Sequence, residues 1–476
     1  LIRVKDYHIL IALLFVAFFS VYFLPAILSR IIFLVILAAA YRTRLDYVYL
    51  VWFFIINDAP GRLFSAGEFS DARIPLYPIA AGISISFQEL FLFLYILKLL
   101  QLKKFPTFLF KKEFAWFLVY GVAVAGYSML LGMSFDNMVR AFRTLLPWSL
   151  VFIVPFYIHN RQILIRSSLM LFSVVFFAFA AQIFSYLTGT YPDHFLRGID
   201  WRSLAVSEQS ASRAYSAVYI ILFSIIHGLY FFYNGKGEIK QNYLAAVIFF
   251  GFFSIFLTAT RGWFIALSLL LFGVAVLFFN ARQIRRWARL IGVSAVVFFI
   301  IFIQFPRLQQ QVIGAVERIS SLEALAQGDV TAQGTLKRID VRIPRVMGKF
   351  WKSPFVGWGF SNEFYRYADG HVGHHNILLH VGILGFIFVN GLLLLLCIKM
   401  RKLAGQKDLR FKEGRSPLIF LLGLLAVVVI HSTSTQFWGY TLSMEKILFF
   451  AFFFAALNNV LLQSRHNGDN RAFKNQ

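Results

Sequence analysis

Apolar runs long enough to cross a lipid bilayer recur from one end of this chain to the other, and they leave few folds open to it. Inside hydrocarbon every backbone N–H and C=O must find a partner within the protein, so only helices and closed barrels can span. The runs here are continuous rather than alternating, which selects helices. With 59% hydrophobic and 14% charged residues, and 58 Phe in 476 positions, the chain falls well short of the roughly one-quarter charge of a soluble domain. The expected fold is all-α: a polytopic membrane protein with about 12 to 14 transmembrane helices and one long, partly helical loop outside the cytoplasm.

Spans of about 20 mostly apolar residues are expected near 8–24, 26–41, 45–57, 79–100, 114–133, 146–158, 167–187, 213–233, 242–259, 263–280, 289–305, 375–398, 417–434 and 443–463. That is a count of about fourteen, with twelve as the alternative, and the pairs around Pro25 and Arg261 could be re-entrant. The first run has no small-residue cleavage site behind it, so it reads as a span and not as a cleaved signal. The chain opens on Leu1, not Met, which leaves room for residues upstream. Three segments follow: an N-terminal bundle over 1–305, a polar loop over 306–374, and C-terminal spans with a tail over 375–476.

The formal net charge of +24 would suggest nucleic acid in a soluble protein. Here most of it lies in short loops between spans, where the positive-inside rule and anionic headgroups account for it. No nucleic-acid partner is expected; membrane lipids are. Alternate loops carry Lys103/Lys104/Lys111/Lys112, Arg161/Arg166, Lys236/Lys240, Arg282/Arg285/Arg286, and the run from Lys399 to Arg415. All fall on one side, which puts both termini in the cytoplasm and leaves 58–78, 134–145, 188–212, Arg261 and 306–374 on the other. Cys397 is the only cysteine, so neither a disulfide framework nor a cysteine-rich metal site is available.

A loop as long as 306–374 should carry structure of its own. Residues 308–326 place Leu308, Val312, Val316, Ile319 and Leu322 at helical spacing, which predicts an amphipathic helix on the membrane surface or capping a cavity. A Gly/Thr/Gln linker over 327–335 leads to a second helical stretch, 336–352, rich in Arg and Lys.

Basic residues on the outer side escape the positive-inside explanation, so they are the informative ones. Arg261 stands in Thr258-Ala259-Thr260-Arg261-Gly262, a tight break between two apolar runs. An arginine there offers a planar fork to phosphate, and the Thr hydroxyls add donors; a snorkelling arginine at a helix end is the plain alternative. Arg197, Arg202, Arg213, Arg338, Arg342 and Arg345 could join it in a cationic pocket for a pyrophosphate, although some must be solvated or paired with Asp200, Asp340 or Glu363. His371, His374 and His375 share one face if helical. A zinc site would need Asp369 or His380 as further ligands, and no zinc motif matches; a general base needs only one imidazole. Interfacial histidines solvating a loop are the bland reading. Glu89 is expected mid-span, where a carboxylate is protonated, paired or part of a proton path; with His227 and His431 it keeps a proton-coupled transporter open.

Taken together, Thr258–Gly262, the stretch from Gly334 and Arg338 through Trp351, Pro354, Gly357 and Gly359, and the histidine-led span ending in Gly382-Ile-Leu-Gly385 resemble, in order, the motifs of the O-antigen ligase and polymerase family. The resemblance covers about 130 residues and implies a metal-independent, cofactor-free glycosyltransferase acting outside the cytoplasmic membrane of a bacterium. The donor it implies is a glycan on undecaprenyl diphosphate and the acceptor a lipid or glycan hydroxyl. By position, Arg261 matches the arginine of the family's turn, Arg338 the loop arginine and Arg202 an earlier one, although the Asn-rich segment that follows that arginine in the family is absent; Arg342 adds a further cation. The family's histidine usually precedes the Gly pair by about eleven residues, which points to His371, and is often followed by Asn, which points to His375. A helix tolerates a changed neighbour better than a lost turn, so His371 is preferred. Ligase, with lipid A–core as acceptor, is favoured narrowly over polymerase.

Overall fold

The computed structural model describes residues 4–58, 75–80, 83–101, 107–188, 192, 217–234, 237–278, 292, 299–300, 302–320, 338–405, 415–433 and 436–474. Helix dominates, as the apolar runs require. In chain order come α1 (Val4–Phe23), α2 (Ala26–Arg42), α3 (Asp46–Asp58), a hairpin of β1 (Leu76–Ala80) and β2 (Ile83–Ser86), then α4 (Phe87–Leu100) and α5 (Lys111–Leu130). Next are α6 (Phe135–Leu145), running through a 3-10 turn into α7 (Leu150–Tyr157), then α8 (Arg161–Thr188), α9 (Val218–Asn234), α10 (Gln241–Leu257) and α11 (Arg261–Leu277). The long loop contributes α12 (Pro306–Ser320), a π-helical turn (Arg338–Arg342), α13 (Ile343–Phe350) and α14 (Asn362–Tyr367). The chain closes with α15 (Gly373–Gly405), α16 (Leu418–Thr433) and α17 (Met444–Lys474).

Six helical stretches among the described residues are long and apolar enough to cross a membrane: Asp6–Phe23, Lys111–Leu130, Phe135–Tyr157, Arg161–Thr188, Gly373–Ala404 and Met444–Gln463. Four shorter apolar helices, α9, α10, α11 and most of α16, stand beside them. The protein is thus an all-α polytopic membrane protein, and among the described residues the full-length spans are fewer than the expected twelve to fourteen. Part of the difference is structural. The run 79–100 opens as the hairpin, and its helix starts only at Phe87. The expected span at 146–158 is the end of Phe135–Tyr157, so 134–145 is helical and not a loop. Most of 289–305 lies outside the described residues.

A helix that is apolar on every side belongs in a core, and three meet that condition. Residues 47–57 of α3, 220–234 of α9 and 447–461 of α17 are buried almost without interruption. Phe54, Phe223 and Phe452 join them, with centroids 4.9, 5.8 and 6.1 Å apart. Around this centre, α1, α2 and α5 leave Phe15, Val35, Trp116 and Leu130 exposed, the apolar outer surface that lipid would cover.

Helix packing gives the bundle two ends. At one, Lys98 pairs with Asp46, Arg161 with Glu238, and Lys399 with Glu113 at 2.6 Å; this end carries the described parts of the basic loops. At the other, Asp58 accepts from the backbone N–H of Tyr219 and Ile220, capping α9. Tyr219 packs on Trp263, and Trp263 on Phe437, at 5.8 Å each. The Thr258–Arg261 turn, α12 to α14 and the histidine-led mouth of α15 therefore share the end opposite the basic loops.

Candidate functional site

The longest described helix, α15, is broken at Gly382, whose φ of 67° and ψ of −173° suit glycine alone. A break in a membrane helix frees backbone groups that must be paired again. The segment Pro354-Phe-Val-Gly357-Trp-Gly359 does this. Trp358 N–H donates to Leu379 O at 2.9 Å and Gly359 N–H to His380 O at 2.7 Å. In return, Ile383 N–H donates to Pro354 O at 2.8 Å and Leu384 N–H to Phe355 O at 3.2 Å. Backbones this close leave no room for side chains: a Cβ on Gly357 would lie 2.6 Å from His380 O, and one on Gly382 would overlap the Phe355 carbonyl. The Pro-x-x-Gly-x-Gly spacing and the first glycine of the Gly382/Gly385 pair thus serve one purpose, which is to dock the loop on the broken helix.

The docked loop fixes the mouth of α15. Asp369 is the hub. Its carboxylate pairs with Arg342 at 3.3 Å and Arg345 at 3.2 Å, and accepts from His371 N–H at 3.0 Å. Its own N–H donates to the buried Asn376 side chain at 2.9 Å. Asn376 in turn donates to Gln436 at 3.0 Å, and Gln436 N–H donates to Gly370 O at 2.6 Å. His371 is exposed and precedes the helix, which starts at Gly373. The expected shared helical face is therefore not formed: His371 lies outside the helix, and His374 and His375 are consecutive residues of its first turn, which point in different directions.

His374 lies against a histidine from another helix. The rings of His374 and His431 are 4.5 Å apart and perpendicular, and His374 Nε2 lies 3.0 Å from Ser432 Oγ. His431 Nδ1 accepts from Phe437 N–H at 2.8 Å and Trp438 N–H at 3.1 Å. An acceptor at Nδ1 puts the proton of the neutral ring on Nε2. Gly373 makes the approach possible, because a Cβ there would sit 2.6 Å from His431 Nδ1. His380 is buried against Phe360 and Phe364, at 4.5 and 4.6 Å. Among the described residues no three His, Cys, Asp or Glu side chains come together in a metal-holding group.

Beside the mouth, Lys349 pairs with Glu363 and lies 3.9 Å over the Trp358 ring. The Lys349 hydrogen bond holds the Glu363 carboxyl below the usual glutamate range. Arg140 of α6 stacks over Tyr365, whose phenol burial pushes up to about 12. Asn362 accepts from Asn137 at 2.6 Å, so α6 and α14 form one wall.

At Thr258–Arg261, Ala259 adopts a left-handed φ of 52° that reverses the chain from α10 into α11. Gln311 of α12 donates to Leu257 O at 2.6 Å and Tyr186 donates to the same oxygen at 3.0 Å. The expected amphipathic helix at 308–326 is described as α12 only as far as Ser320, with 321–326 and the expected linker 327–335 lying outside the described residues; α12 covers this turn. Arg261 is the first residue of α11, partly buried.

Of the sequence-derived candidates, Arg342 and His371 meet through Asp369, while His375 is half-buried in the first turn of α15. Arg261 stands at the same end of the bundle in a separate turn. Arg338 begins the π-helical turn, its side chain lying outside the described residues, and Arg202 lies outside them altogether. Glu89 is not mid-span: it completes a capping box with Ser86 at the start of α4 and pairs with Arg143 at 2.6 Å. The capping signature Ser86-x-x-Glu89 was readable, but the apolar run around it masked it. Gln436 and His431 could not be assigned to the mouth from sequence, because they lie about 60 residues away and only packing brings them there.

Residues 245–398 match the family described as O-antigen ligase. This stretch includes the Thr258–Arg261 turn, the loop helices and the mouth of α15, and ends before His431 and Gln436. No curated protein matches the chain.

Proposed function

We propose that this chain, whose residues 245–398 match the family described as O-antigen ligase, moves a glycan en bloc from undecaprenyl diphosphate to an acceptor hydroxyl. The observation that carries the reading is the Asp369 hub, which gathers two arginines and the His371 backbone at the mouth of a broken helix. In the reaction, a histidine takes the proton of the acceptor hydroxyl, and its oxygen attacks the anomeric carbon from the face opposite the diphosphate. The bond from that carbon to the diphosphate oxygen breaks with inversion, and undecaprenyl diphosphate leaves. Arg261, Arg202, Arg338 and Arg342 bind the diphosphate and stabilise the charge that develops on it. His371 is the preferred base, being exposed and beside the cations; His375 is the second choice, since its neighbour Asn376 anchors the mouth. No metal takes part in this scheme. The site faces the periplasm from the inner membrane, on the end opposite the basic loops.

Lipid A–core is the preferred acceptor, and the growing lipid-linked repeat chain is the alternative. Purified protein incubated with lipid-linked glycan and each acceptor, with and without chelator, separates them. Glycan on lipid A–core identifies a ligase, and a ladder of longer lipid-linked products a polymerase. Chelator sensitivity would reinstate a metal. Arg261→Ala and His371→Ala should abolish transfer while leaving expression intact, and full activity in both would overturn the assignment. A transporter reading loses its main support, because Glu89 is engaged as a helix cap and ion pair.

A further inference from the structure

We propose that Gln436, outside the family-matched stretch, is a positioning residue for the mouth of α15, coupling the last two helices to the histidines. The inference rests on the transferase reading above. Gln436 meets the mouth at two points and the α17 side at two more. Its N–H donates to Gly370 O, next to His371, and its side-chain oxygen accepts from Asn376, next to His375. Its side-chain nitrogen donates to Thr441, and its carbonyl accepts from Lys446 Nζ at 2.7 Å in the first turn of α17. The two residues that follow supply the N–H groups that hold His431 Nδ1, and His431 is the ring against which His374 rests.

The side-chain amide fits its place. Asn376 uses its oxygen on Asp369 N–H, so its N–H group needs an acceptor, and Gln436 Oε1 is the acceptor present. Both residues are buried, at 2% and 7% exposure, so losing one partner leaves the other unpaired and frees the Asp369–Asn376 segment to shift. The bond acts on geometry and touches no substrate, so its loss should lower turnover more than donor affinity.

The test compares Gln436→Leu, which keeps the bulk but removes both polar atoms, with Gln436→Glu, which keeps an oxygen for Asn376 and can accept from the Thr441 hydroxyl. Each is assayed with undecaprenyl-diphosphate-linked glycan and the acceptor the wild type uses. Gln436→Leu should lower kcat about tenfold to a hundredfold, with KM for the donor within about twofold. Gln436→Glu should recover most of that loss. Turnover unchanged in Gln436→Leu, or a rise in KM at constant kcat, overturns the inference; so does an equal kcat loss in a folded Gln436→Glu. If Gln436→Leu does not purify as a folded protein, Gln436→Met, which keeps the length of the side chain without its amide, gives the same reading beside Gln436→Glu. Absence of transfer in the wild type tells against the transferase reading itself, whereas an active wild type with an indifferent Gln436 tells only against this one.

Discussion

Replacing Gly382 by alanine attacks the contact on which the mouth of α15 depends. Two costs add. The backbone there is in a region open essentially to glycine, which costs an alanine about 1–3 kcal/mol. The new Cβ also meets the carbonyl of Phe355 and the nitrogen of Val356, backbone atoms that cannot rotate away. The loop must retreat, breaking some of the four hydrogen bonds that tie 354–359 to 379–384. Each buried group left unpaired costs about 1–3 kcal/mol, so even one such group brings the total to about 2–6 kcal/mol. Gly391→Ala in the same helix is the control: nothing lies within 4 Å of a Cβ there, so alanine should be neutral or stabilise by up to about 1 kcal/mol. The assay is thermal unfolding in detergent, followed by size-exclusion of the surviving monodisperse fraction. Gly382→Ala should melt well below wild type and Gly391→Ala level with it. Gly357→Ala should be comparably harmful, and the double variant should cost less than the sum, because both break the same bonds. Equal melting of Gly382→Ala and Gly391→Ala would refute the docking argument.

Other outcomes follow from neighbouring contacts. Asp369→Asn removes the charge that holds Arg342 and Arg345; transfer should fall severalfold while the melting temperature changes little, since both arginines are partly exposed, at 36% and 48% of their side chains. Glu89→Gln weakens the capping box and the Arg143 pair, so a loss of about 1 kcal/mol in stability is expected, without an effect on transfer. The Glu363 carboxyl titrates below its unfolded value because of Lys349. Its contribution should therefore be complete at neutral pH and disappear as pH falls below the ordinary glutamate value of about 4.3. Limited proteolysis of 351–372 across that range reads the change, and Glu363→Gln should abolish the pH dependence.

The fold class was legible because hydrocarbon imposes a single requirement, internal pairing of the backbone, on every long apolar run. The same composition could not count the spans. Hydropathy does not see that Ser86 and Glu89 form a cap inside an apolar stretch, or that 134–145 continues as helix into α7. Motif order picked out the pieces of the candidate site, but not the way they meet.

Residue types and spacing assigned Arg261, Arg342 and the histidines from His371 to the end of the helical bundle away from the basic loops, since charge is costly within a membrane and is placed by side. Tertiary structure alone decided which of them touch. It placed His371 before the helix and His374 and His375 in its first turn, brought His431 against His374, and tied Asn376 to Gln436. The reason is physical: a broken helix must regain its backbone partners from whatever segment packs against it. That segment is selected by close backbone approach at Gly357 and Gly382, which no single stretch of sequence encodes.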